Sequence, residues 1–341
     1  MNSSRVTSCV LGIDTSNYKT SVAVVSEDKR IIYDHREFLK VKQGEKGLRQ
    51  SDALFQHVKA LPALIEGALG ACKGAEGEGE LPADGTKPHD LKIAAVAYSS
   101  RPRPVEGSYM PVFLAGESFA RTLAAAKDVP LFAFSHQEGH IEAVKAFSPL
   151  EHEKDVLVCH FSGGTCELLK THVKDGTYHI EIIGGSKDIS FGQVLDRAGV
   201  MMGLDFPAGE SLDKLALSAN GRTSHLTSVK VKDGRLNLSG LDTQIKRRLE
   251  AGMTAGEEAD FIREIFEIMT KAMAEMIGQG SKNTGIKDII MAGGVSSSLF
   301  IKENLTALLK ADGIHAIFDT AGLSQDNAVG TALLGGKKIW G

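Results

Sequence analysis

The sequence predicts an α/β protein of two similar lobes, and three observations carry that prediction. The order of three short strands, helix, strand, helix, strand (βββαβαβ) occurs twice along the chain. Both copies open on β-branched runs joined by turns of small polar residues, the pattern of an antiparallel meander. Each meander is followed by segments with apolar residues at threes and fours, the helical period. Duplicated lobes of this kind face each other across a cleft, and each opening hairpin is expected to point its backbone there.

The first copy begins with SCVLGIDTSN, YKTSVAVVSED and RIIYDHREFLK as strands. SDALFQHVKALPALIEGAL follows as a helix. KGAEGEGELPADGTKPHD is too polar and glycine-rich to fold alone, and reads as a surface insertion over residues 73–90. LKIAAVAYSS is a buried strand, VFLAGESFARTLAAA a helix and VPLFAFS a further strand. The second copy opens with DVLVCHFSGGT, CELLKTHVKDG and TYHIEIIGGSKD. Helical stretches follow, including residues 259–278, then strand DIIMAGGVS, helix SLFIKENLTALLKA, strand IHAIFD and a last helix from about Gln325. The lobes are expected at 1–130 and 131–325, with 326–341 packing back toward the first.

A chain of 341 residues is long enough for two lobes with a core each. Hydrophobic residues make up 42%, yet no apolar run reaches the roughly eighteen residues of a membrane span. No signal-peptide pattern opens the chain, so a cytoplasmic protein with no membrane partner is expected. Cys9, Cys72, Cys159 and Cys166 form no CxxC pair and read as small buried hydrophobes. With a net charge of −4, nucleic acid is left with a local basic patch or a partner. Neither GxxxxGKS nor GxxxxGKT occurs, which excludes a Walker-type phosphate loop.

In FSHQEGHIEA, residues 134–143, a helix would set His136 above His140 on one face. Two imidazoles so placed can share a cation, as in HExxH, although the spacing also occurs on solvated faces. The SGG of residues 162–164 sits at a tight hairpin, where backbone N–H groups can approach an anion unobstructed by Cβ. The plainer alternative is that these glycines supply positive φ. MAGGVSSS, residues 291–298, places Gly293 and Gly294 where a buried strand ends and a helix starts, a place for phosphate or sugar contact. Two such turns in a duplicated fold are explained together by a nucleotide. Asp14, Asp196 and Asp326 lie at strand ends or helix starts, where site residues collect and where carboxylates also cap helices. Asp14 is the catalytic candidate, and Asp326, opening the last helix, is placed to reach the histidines.

These stretches together resemble the universal tRNA threonylcarbamoyladenosine transferases, the TsaD-like family once called O-sialoglycoprotein endopeptidases. LGIDTSNYKTSVAVV, HQEGH, FSGGT, GQVLDRAGVMMGLDFPAGESLDKLA, LSGL, IIMAGGVSSS and SQDNA run in family order from residue 11 to about 330. The resemblance implies the actin/Hsp70/sugar-kinase fold. It implies His136, His140 and Asp326 as ligands of one divalent metal, iron or zinc. His160 falls where the archaeal branch has a tyrosine ligand. Ser162, Gly163 and Gly164 match the nucleotide phosphate loop, with His160 and Phe161 leading into it. Asp196 and Asp213 match carboxylates that hold the ribose, and Gly209 lies close to the nucleotide. The implied nucleotide ligand is ATP or threonylcarbamoyl-AMP, and the implied reaction carries the threonylcarbamoyl group to adenosine 37 of tRNA. Partners implied are tRNA, an upstream synthase making the adenylate and a family-related heterodimer subunit. The older peptidase name has no support, since no nucleophile or zinc-hydrolase constellation with its base is found.

Several positions depart from the family pattern. DTSNYKT stands for ETSCDET, so Tyr18 and Lys19 replace an acidic pair. SSRPRPVEGSYMP replaces a Gly-Pro-Gly loop and introduces Arg101 and Arg103. Thr165 replaces a histidine and Ser298 an asparagine. The alternatives are a divergent paralogue that carbamoylates another acceptor, which the two arginines would help bind if it is anionic, and a non-catalytic nucleotide-binding partner of a family transferase.

Overall fold

Alternation along Thr7–Thr15 (β1) gives that strand two faces, and helices cover both. The structure, a computed structural model, describes residues 7–16, 18–41, 48–73, 91–174, 176–319, 322–323 and 328–341. β1 is the middle strand of a sheet ordered β3-β2-β1-β4-β5, with Lys19–Ser26 (β2), Ile31–Phe38 (β3), Leu91–Arg101 (β4) and Leu131–Ser135 (β5). β1, β2 and β3 form the antiparallel meander, while β4 and β5 run parallel to β1. The insertion expected at 73–90 lies, from residue 74 on, outside the described residues.

Toward one face β1 directs Cys9, Leu11 and Ile13, which pack with Gln50–Cys72 (α1) and Phe113–Lys127 (α2). α1 meets them with Leu61, Leu64, Ile65, Ala68 and Cys72, a stripe at threes and fours. The opposite face, with Val10 and Gly12, receives the last helix, Val329–Trp340 (α9). Contact there is backbone to backbone: a Cβ on Gly12 would come within 2.5 Å of the Ala328 carbonyl oxygen. His136–Lys145 (α3) lies against α9 in the same way, since a Cβ on Gly330 would overlap the Gly139 carbonyl. Buried Glu142 meets Lys337 Nζ at 2.7 and 2.8 Å, tying α3 to α9.

Residues Met1–Ala146 and Asp326–Gly341 therefore form one compact unit, and Phe147–Gln325 the other. The sequence-based boundary at 130/131 falls too early, because β5 hydrogen-bonds to β4 and carries α3 with it. α9 starts at Val329 rather than near Gln325, and residues 324–327, Asp326 among them, are outside the described residues.

The second unit repeats the meander as Asp155–Phe161 (β6), Cys166–Lys174 (β7) and Thr177–Ser186 (β8). Asp288–Ala292 (β10) and His315–Phe318 (β11) add parallel strands, giving the order β11-β10-β6-β7-β8-β9 with Arg235–Leu236 (β9) at the edge. This copy is not a bare repeat. Phe191–Met201 (α4), Gly209–Ser218 (α5), β9 and Ser239–Glu250 (α6) stand between β8 and the long helix Ala255–Thr284 (α7). Leu157, Cys159 and Phe161 of β6 pack with Phe191 of α4 and Phe261, Phe266 and Met269 of α7. After β10 the chain makes a 3-10 turn, Gly294–Ser297, before Leu299–Lys310 (α8), so the diglycine does not open a helix directly as expected. All four cysteines are buried and unbridged, and burial pushes the Cys166 thiol up to about 12.

One glycine substitution tests the packing of α9, and a second, in α7, serves as its control. Gly330→Ala is expected to lower stability by about 2 kcal/mol or more, read by denaturant melts, because the overlap is with backbone. Gly278→Ala, at an α7 site where a Cβ meets nothing within 4 Å, is expected to raise it by about 1 kcal/mol.

Candidate active site

In the first unit the site is built on β1 and the start of α3. The sequence Ser135-x-x-Glu138 fixes where α3 begins: the Ser135 hydroxyl accepts from the Glu138 N–H, and Glu138 accepts from the Ser135 N–H at 2.7 Å. His136 is thus the first helical residue and His140 lies one turn on. Asp14, on the α3 side of β1 and fully buried, accepts a 2.9 Å hydrogen bond from His136 Nδ1–H. That bond fixes the His136 tautomer with its lone pair on Nε2. Nε2 of His140 stands 2.9 Å from Nε2 of His136, so the network assigns the proton between them to His140.

This donor set fits a divalent ion. Nitrogen ligands sit about 2.1 Å from such an ion, so two of them at a right angle stand about 3 Å apart. The carboxylate behind His136 is the usual outer partner of a metal-binding imidazole. Asp14 therefore meets a histidine rather than open space. Its Oδ2, also buried, has no hydrogen-bond partner among the described residues. No group of three metal-ligating residues forms among the described residues; Asp326 is outside them.

The hairpin after β1 is anchored by a residue without a sequence signal. His57 of α1 is fully buried; its Nε2–H donates to the Ser16 carbonyl at 2.7 Å, and its Nδ1 accepts from the Thr20 hydroxyl at 2.8 Å. Desolvation lowers the His57 pKa, in keeping with a neutral ring. Lys19, one of the replacements in this hairpin, is buried with its Nζ 4.3 Å from the centre of the Phe38 ring.

In the second unit the residues 162–165 form the hairpin between β6 and β7. Ser162 N–H donates to the Thr165 carbonyl, and Thr165 N–H to the Ser162 hydroxyl. The backbone N–H of Ser162 is thereby spent within the turn, and Gly163 and Gly164 are left as the backbone donors. Neither glycine has positive φ, so the turn itself does not require them. A Cβ on Gly164 would meet nothing within 4 Å, and one on Gly163 only Asp196 Oδ2, at 4.0 Å. Both amides are open to an approaching anion. Ser190, the cap of α4, donates to the Gly163 carbonyl at 2.6 Å, and Gly192 lets α4 press on the loop, since a Cβ there would lie 2.6 Å from Gly163 Cα.

The carboxylates of this unit divide. Asp196 Oδ1 accepts from Ala208 N–H at 3.0 Å, leaving Oδ2 on the Gly163 side. Asp213 is consumed as a helix cap, accepting from Ser298 Oγ and from the Leu299 and Phe300 N–H groups at 3.0 and 3.2 Å. Phe161 also departs from its candidate role: its side chain is fully buried, edge-on to Phe191 at 5.4 Å. Gly293, at φ 89°, is required by the Phe161 backbone, which a Cβ would overlap, whereas Gly294 and Gly209 open on space. His160 is buried on β6, in register between Ala292 and Glu167, on the face away from Phe161.

Duplicated meanders with a glycine-lined hairpin loop define a protein of the actin/Hsp70/sugar-kinase class, and solved structures agree. HypF in its phosphate- and nucleotide-bound form superposes with a TM-score of 0.60 at 13% identity over 99% of this chain, which spans 47% of HypF. A ROK-family glucokinase from Streptomyces griseus gives 0.50 at 13% identity, covering 96% of this chain and 98% of the kinase. At such identities the likeness establishes the fold alone. Sequence relatives narrow the class. The tRNA N6-adenosine threonylcarbamoyltransferase of Neorickettsia sennetsu is 28% identical over 94% of this chain and 90% of its own length. That of Thermus thermophilus is 28% identical over 95% of this chain and 91% of its own length. Residues 46–333 match the family described as TsaD, tRNA N6-adenosine threonylcarbamoyltransferase, and the chain belongs to that family.

The environment of Asp196 yields a pH-dependent prediction. Desolvation raises its pKa, opposed by the Ala208 N–H bond, so its ionised form costs the folded state stability. That cost is absent where the group is protonated and appears as pH rises through the raised pKa. Asp196→Asn, which keeps the bond to Ala208, is expected to raise the Tm at pH 7 to 8, with the gain vanishing below about pH 4. Thermal melts across that range check it.

Proposed function

We propose that this chain transfers a threonylcarbamoyl group from threonylcarbamoyl-AMP to the exocyclic amine of adenosine 37 in tRNA. The amine nitrogen attacks the carbamoyl carbon, the bond from that carbon to the phosphate oxygen breaks, and AMP and one proton leave. His136 and His140, with Asp326 as the family resemblance implies, would hold one divalent ion, iron or zinc. Bound there, the ion supplies Lewis-acid polarisation of the acyl carbonyl. The observation that carries this reading is the relay from buried Asp14 through the partly exposed His136 to a second imidazole nitrogen 2.9 Å away.

The remaining roles follow from what each group has left to offer. Asp14, fully buried, orients His136. Gly163 and Gly164 N–H groups take the leaving phosphate, and Asp196 Oδ2 accepts from a ribose hydroxyl, since Asp213 is occupied as a cap. The adenylate comes from a synthase acting on threonine, bicarbonate and ATP, and the setting is the cytoplasm. No described helix is long and apolar enough to cross a membrane.

A strain depleted of its own transferase and supplied with this gene is expected to retain threonylcarbamoyladenosine in its tRNA, read by nucleoside mass spectrometry. Loss of the nucleoside while the protein is soluble would count against the reading. Independently, anaerobically purified protein should carry about one iron or zinc per chain, absent from the His136→Ala, His140→Ala double variant. Asp14→Asn should weaken metal binding roughly 10- to 100-fold, as loss of an outer carboxylate does.

A further inference from the structure

We propose that Arg101 is a carboxylate-recognition residue beside the histidine pair, selecting an acyl group that carries a free carboxylate. Three features of the first unit support it. β4 and β5 pair Ser99 with Phe134 and Arg101 with Ser135, so Ser100 is an extra residue in β4, its hydroxyl donating to the Phe134 carbonyl at 3.0 Å. Such a bulge turns the next side chain out of the regular alternation, and here that side chain is Arg101. Its register partner, Ser135, immediately precedes His136, and paired strands lie about 5 Å apart.

The second feature is charge. Arg101 is half-buried, and its guanidinium meets no carboxylate among the described residues. Of the acids in this part of the unit, Asp14 Oδ1 accepts from His136 and Glu138 Oε2 closes the cap of α3, while Glu106, on the loop after Arg101, is exposed. A half-desolvated guanidinium with no counter-ion among the described residues is a site for a bound anion.

The third feature identifies the anion. A phosphate at a helix start draws on several backbone N–H groups. At α3 these are spent, Gln137 N–H on the Pro102 carbonyl at 3.1 Å and Glu138 N–H on the Ser135 hydroxyl at 3.2 Å. With those amides taken, Arg101 offers a planar fork rather than a ring of N–H donors, and such a fork matches a planar carboxylate in a bidentate pair. Pro102 and Pro104 restrict the loop that carries it. The identity of the acyl group, though not the carboxylate preference, rests on the function proposed above.

Calorimetric titration of the full chain with N-carbamoyl-L-threonine and with its carboxamide separates the two claims. The carboxylate should bind about tenfold more tightly, and Arg101→Gln should erase that preference while leaving the carboxamide unchanged. Arg101→Lys, which loses the planar fork, should restore it only partly. Metal content and Tm of both variants should match the parent. No carboxylate preference in the parent, or an unaltered one in Arg101→Gln, overturns the inference. So does a fall of about one in the salt slope of tRNA binding in Arg101→Gln, which assigns the residue to a nucleic-acid phosphate. Carboxylate-selective binding in a chain that leaves tRNA unmodified sinks the transferase reading and keeps Arg101 in its role.

Discussion

A carboxylate with essentially no exposed surface, on the middle strand of a sheet, is tolerable only if a donor meets it. In the first unit that donor is His136 Nδ1–H, and much of the local architecture follows from the bond to Asp14. It holds the ring at the first position of α3, keeps the Nε2 lone pair available and turns it toward His140. The alternation of β1 is what makes this possible. Leu11 and Ile13 face α1 and α2, while Val10, Gly12 and Asp14 face the side occupied by α9 and α3. One strand thus serves a hydrophobic core on one side and a polar centre on the other.

The second unit reaches a comparable end by crowding rather than by charge. Gly192 presses α4 onto the hairpin loop, Ser190 holds the Gly163 carbonyl, and Gly293 lets the backbone after β10 lie against Phe161. Backbone amides fixed this way need no reorganisation when a charge arrives. Asp196 is steadied by Ala208 N–H, and Ala208 in turn sits where a Cβ on Gly199 would collide with it.

Periodicity made both meanders and the principal helices readable, because each strand or helix faces a core that repeats at the same interval. The start of α3 was legible too, since Ser135 and Glu138 form a capping box; Ser190 with Gln193 and Thr254 with Glu257 do the same for α4 and α7. His136 and His140 could be paired from spacing alone. The role of Asp14 could not, as its partner lies 122 residues away and only the sheet brings them together. For the same reason Asp213 read as a ligand contact: nothing local says that its oxygens face the start of α8, 85 residues later. His57 gave no signal, being a helix histidine whose partners are on another strand. The lobe boundary was misplaced because α3 is held by α9, a contact between distant parts of the chain.

The discontinuity of the first unit has a consequence for how the molecule is made. During translation β1 emerges early, yet the helix that covers its Val10 and Gly12 face is encoded by residues 329–340. The second unit, contiguous from Phe147 to Gln325, can complete its core on the ribosome first. Until α9 arrives, the glycine-rich groove over Gly12 and Gly139 stays open and α3 lacks its partner. A nascent chain arrested in that interval would hold a finished second unit and a first unit whose β1 face and α3 are not yet covered.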